Sequence, residues 1–216
     1  MSRTHVTAAP AAVIRVALLD DHPAVLRGLQ RLLEPVRDLQ VIAVAGDAVT
    51  LARELDGRRV DVLILDYDPG RGDALGVCRR IKSRPAAPCV LFYTAYTSPA
   101  LVIAARAAQA DGLVDKSEPA RVLLDAIRRV TGGETVIPPV DPAAFEAAAA
   151  RLDERDLPVF ELLLHGVPTT GLAAMLASDE RDTARRAQRV VRRLRPRPGT
   201  MQSPRVDQRP TGPPSA

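Results

Sequence analysis

The chain has 216 residues, of which 46% are hydrophobic and only 3% aromatic, so aliphatic side chains must fill the core of one ordinary domain and a small second one. Its longest uncharged stretch, 85–105, contains Pro88, Pro99 and several polar residues, and no signal-peptide pattern is found, which argues against a membrane-spanning or secreted protein. Residues 1–150 are neutral overall, so the net charge of +4 lies in residues 151–216, with 12 arginines against 8 acids.

Five short apolar runs rich in Val, Ile and Leu alternate with helical patterns in the first part of the chain. The runs are Ile14–Leu19, Val41–Ala45, Val60–Leu65, Cys89–Tyr93 and Gly112–Val114. The helical stretches are Ala24–Glu34, Val49–Leu55, Asp73–Ser83, Pro99–Ala110 and Pro119–Val130. Runs that do not alternate are typical of strands buried on both faces. The sequence therefore predicts an α/β fold, with a doubly wound, five-stranded parallel sheet of flavodoxin-like order.

A second, smaller all-α unit is predicted after this pattern. The Gly/Pro-rich stretch TGGETVIPPVDP ends the alternation, and residues 132–151 are expected to form a linker with a short helix. In the second unit, 152–195, a first helix is expected to begin at Leu157, a second to span Thr169–Leu176 and a third to begin at Glu180. Residues 196–216 are proline-rich and polar without an apolar period, and we expect them, like residues 1–12, to be disordered.

Polar residues stand at the carboxyl ends of four predicted strands. Asp20 and Asp21 follow the first strand, Asp66 the third, Thr94 ends the fourth and Lys116 follows the fifth. In open parallel sheets these ends share one edge, where ligands bind. Neighbouring carboxylates repel one another unless a cation lies between them, and Mg²⁺ prefers carboxylate oxygen. A lysine here, in a chain with 28 arginines and two lysines, suits a point charge directed at a phosphoryl group.

This set of residues, together with the stretch LLDDHPAVLRGL, is similar to the receiver domain of bacterial two-component response regulators, in particular of the NarL type. The resemblance covers about residues 13–131. It implies that Asp66 is the phosphoacceptor and attacks a phosphohistidine of a partner sensor histidine kinase. It further implies that Thr94 and Lys116 contact the phosphoryl group.

The same resemblance implies a Mg²⁺ ion as cofactor. Asp21 would bind the ion directly and Asp20 through water, with Asp66 and the backbone carbonyl of Asp68 as further ligands. One departure concerns Leu113, which occupies the place where many receivers carry a Tyr or Phe that changes rotamer on activation. This departure argues against a rotamer change of an aromatic side chain on activation, and it does not affect the predicted phosphorylation of Asp66.

Residues 152–194 resemble the LuxR-type helix-turn-helix. In the predicted last helix, small and aliphatic residues share one face and arginines lie on the other. An outward-facing basic recognition helix suits phosphate and major-groove contacts. We therefore expect Arg185, Arg186 and Arg189 to face DNA, and their replacement to leave thermal stability almost unchanged.

Two alternatives remain open at this point. In the first, the C-terminal module is degenerate and binds a protein instead of an operator. Pro158, Pro168 and Gly171 weaken its helices, and Thr183 stands where an apolar residue is expected. The stretch LILDYD also fits haloacid-dehalogenase-like phosphatases, although their motif belongs to the first strand.

The leading prediction is a cytoplasmic regulator of transcription with a histidine kinase and DNA as partners. We expect Cys78 and Cys89 to be free thiols in a reducing cytosol. No membrane association is expected, and a homodimer is left open. The only chemistry expected of the chain is its own phosphorylation and dephosphorylation, so it is not predicted to be an enzyme.

Overall fold

Five parallel strands form a single sheet in a computed structural model of the chain, which describes residues 13–68 and 72–196. The strands are β1 (Ile14–Leu19), β2 (Leu39–Ala45), β3 (Val62–Leu65), β4 (Cys89–Thr94) and β5 (Gly112–Asp115). Their order, β2-β1-β3-β4-β5, confirms the predicted flavodoxin-like sheet. Disorder was predicted for residues 1–12 and 196–216. Pro196 is described and buried, and the segments 1–12 and 197–216 lie outside the described residues.

Helices cover both faces of this sheet. They are α1 (Pro23–Leu33), α2 (Ala48–Glu54), α3 (Ala74–Lys82), α4 (Pro99–Ala107) and α5 (Ala120–Thr131). Alternate strand residues point to opposite faces. In β1, Val16 and Leu18 therefore belong to a core with α1 and α5, whereas Ala17 and Leu19 belong to a core with α2, α3 and α4.

The C-terminal part is helical, as predicted. It contains α6 (Pro142–Ala149), a 3₁₀ turn (Glu154–Asp156), α7 (Leu157–Leu164), α8 (Thr169–Met175) and α9 (Glu180–Leu194). Helix α7 begins at Leu157 because Pro158 is tolerated in the first turn. At α9 the Asp179 carboxylate accepts a hydrogen bond from the backbone N–H of Asp182, at 2.9 Å.

The C-terminal helices pack directly on the α3–α4 face of the sheet domain. Helix α9 contacts both α3 and α4 as well as α7 and α8. One apolar core includes Phe92 and Leu101 on the sheet side and Phe160 and Val190 on the other. Among the described residues, no helix is both long and apolar enough to cross a membrane. The packing places α9 beside the loop that follows β3.

Candidate functional site

A half-buried lysine joins two aspartates at the carboxyl edge of the sheet. Asp20 follows β1, Asp66 follows β3 and Lys116 follows β5, so the topology brings them together. The Lys116 Nζ lies 2.7 Å from an Asp20 carboxylate oxygen and 2.9 Å from one of Asp66. Asp20 is 3% and Asp66 11% exposed, so these charges interact with little screening by water.

Burial and the lysine act in opposite directions on the phosphoacceptor candidate. Burial raises the pKa of Asp66 above its usual value, and the hydrogen bond and charge of Lys116 offset only part of this effect. Burial alone would lower the pKa of Lys116, but its bonds to Asp20 and Asp66 outweigh burial, so the pKa is raised. The lysine is therefore firmly charged.

The second aspartate after β1 lies at the rim of the same cluster. Asp21 is 36% exposed, and one of its oxygens lies 2.8 Å from His22 Nδ1. The same ring nitrogen is 3.1 Å from Asp20 Oδ1. Ligand atoms of Asp20, Asp21, His22 and Asp66 all lie within 4.8 Å of one another.

His22 is the site residue that sequence reasoning missed. It precedes α1 at the N-cap position, but its side chain makes no capping hydrogen bond. Its ring bridges the two adjacent carboxylates instead. The signal available in the sequence was its position directly after two acids.

Thr94 and Asp68 complete the predicted set. Thr94 is fully buried, and its hydroxyl donates a 2.6 Å hydrogen bond to the backbone carbonyl of Tyr67. Asp68 lines the same cavity as Asp20, Asp21 and Asp66, which has a volume of about 210 Å³. The structure thus gathers the acids predicted from the strand ends, and it places Thr94 against the loop that follows Asp66.

The acid cluster fits a hard divalent cation. Its donors are predominantly carboxylate oxygens, which such cations prefer, and the cavity leaves room for water or a phosphoryl group beside them. Lys116 already binds two of these carboxylates, which indicates that the cluster needs positive charge.

The arginines predicted to face solvent on α9 differ in their surroundings. Arg185 is 70% exposed, as expected. Arg189 instead donates two hydrogen bonds, of 2.7 and 2.8 Å, to the fully buried carboxylate of Asp156. The Arg186 side chain is only 17% exposed and lies beside the same carboxylate. The expectation of a fully outward-facing basic face is therefore wrong for Arg186 and Arg189, because Asp156 attracts them inward.

A flavodoxin-like sheet with an acid cluster and a lysine at one edge defines the receivers of phosphorelay signalling. The family described as "Response regulator receiver domain" matches residues 16–128. The chain belongs to this family, and relatives such as NarP and UvrY place it with the NarL/LuxR type. This membership confirms the resemblance inferred from the sequence.

Relatives match most of the chain, including its C-terminal part. The nitrate/nitrite response regulator protein NarP of Escherichia coli is 29% identical over 196 residues, covering 85% of this chain and 90% of NarP. The transcriptional regulatory protein UhpA of Salmonella typhimurium is 33% identical over 168 residues, covering 76% and 83%. The structure of RcsB from Salmonella enterica is similar in fold, with a TM-score of 0.51, 21% identity and coverage of 87% and 95%.

Proposed function

We propose that the chain regulates transcription in a two-component system, accepting a phosphoryl group on Asp66 from a sensor histidine kinase. The observation that carries this proposal is the contact of Lys116 with both Asp66 and Asp20, two of the acids that line one cavity. The C-terminal helices α7–α9 are the DNA-binding output. We assign the protein to the cytoplasm, where the kinase domain and DNA are both accessible, and regard a homodimer as its DNA-bound form.

Phosphoryl transfer forms a bond between an Asp66 oxygen and phosphorus while the bond from phosphorus to the kinase histidine nitrogen breaks. Lys116 holds the Oδ1 oxygen of Asp66 and pairs with the phosphoryl oxygens after transfer. Mg²⁺ would be held by Asp20, Asp21, Asp66 and the backbone carbonyl of Asp68. When bound, it neutralises charge on the phosphoryl oxygens.

Thr94 and Tyr67 offer a route from Asp66 to the C-terminal part. A phosphoryl group on Asp66 brings new acceptor oxygens, toward which the Thr94 hydroxyl can turn away from the Tyr67 carbonyl. The Tyr67 ring is 2% exposed and packs edge-on against Phe92, 6.2 Å between centroids. Burial raises the pKa of the Tyr67 hydroxyl to about 12, and the positive charge of Arg195, directly after α9, acts in the opposite direction. Arg195 also donates a hydrogen bond to the backbone carbonyl of Gly72. A movement of Tyr67 or Gly72, which follow β3, therefore acts on the end of α9 through Arg195.

DNA binding requires α9 to leave α3 and α4. A recognition helix enters the major groove with its own side chains, which α9 cannot do while packed on the receiver. We therefore propose that phosphorylation of Asp66 releases the helix. In this chain we assign DNA contact first to the exposed Arg185. The predicted DNA contacts of Arg186 and Arg189 would require these side chains to leave Asp156. RcsB, which has the same fold, has been solved bound to promoter DNA.

The alternative output is a protein partner instead of an operator. One observation favours it: Arg186 and Arg189 are engaged with Asp156 and are not free to contact DNA. In this alternative the receiver chemistry is unchanged, and phosphorylation exposes the α9 face to another protein.

Intact mass spectrometry after incubation with a small-molecule phosphodonor and Mg²⁺ tests the receiver chemistry. We expect one added phosphate, labile to base as an acyl phosphate, which is absent in Asp66→Asn. The matched control is Asp68→Asn in the same loop, which should still be phosphorylated because the proposed metal ligand is its backbone carbonyl. Phosphate retained in Asp66→Asn would refute the assignment.

Selection from a library of random-sequence DNA duplexes tests the output. We expect the phosphorylated chain, but not the unmodified one, to enrich a defined sequence. Binding without sequence preference that disappears at modest salt would favour the protein-partner alternative, since specific recognition keeps a preference.

A further inference from the structure

A cleft of about 550 Å³ lies between α3 of the receiver and α9 of the C-terminal module. Its walls are strongly basic, and among the described residues that line it one is an acid, Asp73. The basic residues are Arg79, Arg80, Arg185, Arg189, Arg192 and Arg195. Guanidinium groups this close to one another repel unless negative charges lie between them.

Only part of this charge is compensated by the protein. Carboxylates lie near three of the arginines: Asp73 is 3.5 Å from Arg80, Asp182 is 3.6 Å from Arg185 and Asp156 is 2.7 Å from Arg189. Within residues 13–68 and 72–196, the other three, Arg79, Arg192 and Arg195, have no carboxylate partner. Arg79 and Arg195 donate hydrogen bonds to the neutral partners Gln109 and Gly72, which do not compensate their charge. The cleft therefore has an excess of about three positive charges.

Arg79 is the most constrained of the three. It is 2% exposed, and its Nη1 donates a 2.6 Å hydrogen bond to Gln109 Oε1. Its Nη2 is buried and has no hydrogen-bond partner within the described part of the chain. Burial lowers the pKa of Arg79 to about 10. A charged donor held out of water without an acceptor is costly. Arg79 lines the cleft, so the negative charge of an anion bound there would offset part of that cost.

The dimensions of the cleft restrict its occupant to a small molecule. Its volume lies in the usual range for sites of small ligands. A DNA duplex is excluded in this arrangement, because the wall formed by α3 occupies the side of α9 that a groove would have to cover. Guanidinium groups bind phosphate oxygens in a two-pronged geometry, so several arginines around one cavity suit a chain of phosphates.

We propose that this cleft binds a small ligand carrying several linked phosphate groups, such as a triphosphate, with α9 held against α3. Arg79 and Arg192, on opposite walls, are the residues we expect to contact it. Because the ligand touches both helices, it stabilises their contact. The further consequence, that it opposes DNA binding, rests on the proposed function above.

Isothermal titration calorimetry of the full chain with inorganic triphosphate, in EDTA and at low salt, tests the proposal. EDTA removes divalent ions, so binding through a metal at the acid cluster does not contribute. Arg192→Gln should weaken binding about tenfold or more, the value of one lost hydrogen bond between charged groups. The matched control is Arg121→Gln, an exposed arginine on α5 on the opposite face of the sheet, which should change affinity less than about twofold.

Two further variants separate the possible explanations. Arg79→Gln should also weaken binding, and its melting curve shows whether this variant is folded. If Arg79→Gln does not fold, the test rests on Arg192→Gln, because Arg192 is exposed. Asp66→Asn should retain full affinity. Loss of affinity in Asp66→Asn would overturn the proposal by locating the ligand at the acid cluster.

A parallel titration with a nucleoside triphosphate distinguishes the sources of this chemistry. Equal affinity for both ligands supports recognition of the phosphate chain alone, and tighter binding of the nucleotide supports additional contacts to the base. Absence of binding, or equal losses in Arg192→Gln and Arg121→Gln, would overturn the proposal. Phosphorylation of Asp66 is measured separately, so either result can fail without the other.

Discussion

Replacing Arg189 with alanine is expected to destabilise the protein, because the change leaves a buried carboxylate with poor partners. Asp156 is fully buried and accepts two hydrogen bonds from Arg189, at 2.7 and 2.8 Å. The neighbouring Arg186 makes no hydrogen bond to this carboxylate in the observed arrangement, since its Nε lies 3.6 Å away and is buried without a hydrogen-bond partner among the described residues.

The magnitude follows from the burial of this pair. Removing one partner of a buried ion pair costs about 3–5 kcal/mol. The Arg189 side chain is 31% exposed, so solvent already screens part of the interaction. A small shift of Arg186 would also restore one hydrogen bond. We therefore expect the free energy of unfolding to fall by about 2 kcal/mol, below the range for fully buried pairs.

The loss should depend on pH in a defined direction. The hydrogen bonds from Arg189 hold the pKa of Asp156 below its usual value. A carboxyl group with a lowered pKa in the folded state contributes stability above its unfolded pKa, near 3.9, and loses it as pH falls through the folded value. The difference between the wild type and Arg189→Ala should therefore be complete at neutral pH and shrink in acid.

Urea denaturation of the full chain, at neutral pH and again below about pH 4, measures this effect. The matched control is Arg185→Ala on the same helix, which is 70% exposed and lies 3.6 Å from Asp182. A surface pair of this kind contributes at most about 1 kcal/mol, and often much less. Equal unfolding free energies for the two variants at neutral pH would refute the structural role assigned to Arg189.

Three further outcomes are expected. Asp21→Ala should greatly weaken Mg²⁺ binding in a metal titration, because the ion loses one of few carboxylates; unchanged affinity would count against the cluster. Lys116→Met should make the melting temperature depend more strongly on the Mg²⁺ concentration than in the wild type, because Asp20 and Asp66 then lack their shared cation. An unchanged dependence would show that Lys116 does not neutralise these carboxylates. Gly112→Ala should destabilise the sheet by about 1–3 kcal/mol in urea denaturation, since the added Cβ would lie 2.2 Å from Leu91 Cδ1; a neutral result would mean that Leu91 moves freely.

The edge of the sheet could be predicted from sequence because one rule of topology governs it. Each strand end carries its own residue type, and parallel order brings those ends together. Asp20, Asp66 and Lys116 therefore needed no knowledge of side-chain conformation. The ring of His22 was not predictable in this way, since its partners depend on which rotamer it adopts beside two carboxylates.

The surroundings of the arginines on α9 could not be predicted, for a different physical reason. The helical period identified the apolar side formed by Ala187, Val190 and Leu194, and the structure buries that side. Arg186 and Arg189 flank it, and their partner Asp156 lies 33 residues from Arg189 in a stretch that resembles a solvated charge run. Only docking of the 3₁₀ turn against α9 buries that acid and draws the arginines inward.

The burial of Asp156 makes the roles assigned to the three arginines unequal. To contact a DNA phosphate, Arg189 has to leave a carboxylate that is then buried without its main partner, and that loss offsets what the phosphate contact contributes. Arg185 faces no such conflict, because its acidic neighbour Asp182 has a side chain that is 51% exposed and lies 3.6 Å away. Helix α9 can therefore leave the receiver with the Asp156–Arg189 pair intact, since both residues belong to the C-terminal part. On this reasoning Arg189 maintains the shape of the module, and Arg185, near the start of α9 where recognition helices read bases, has the greater freedom to contact DNA.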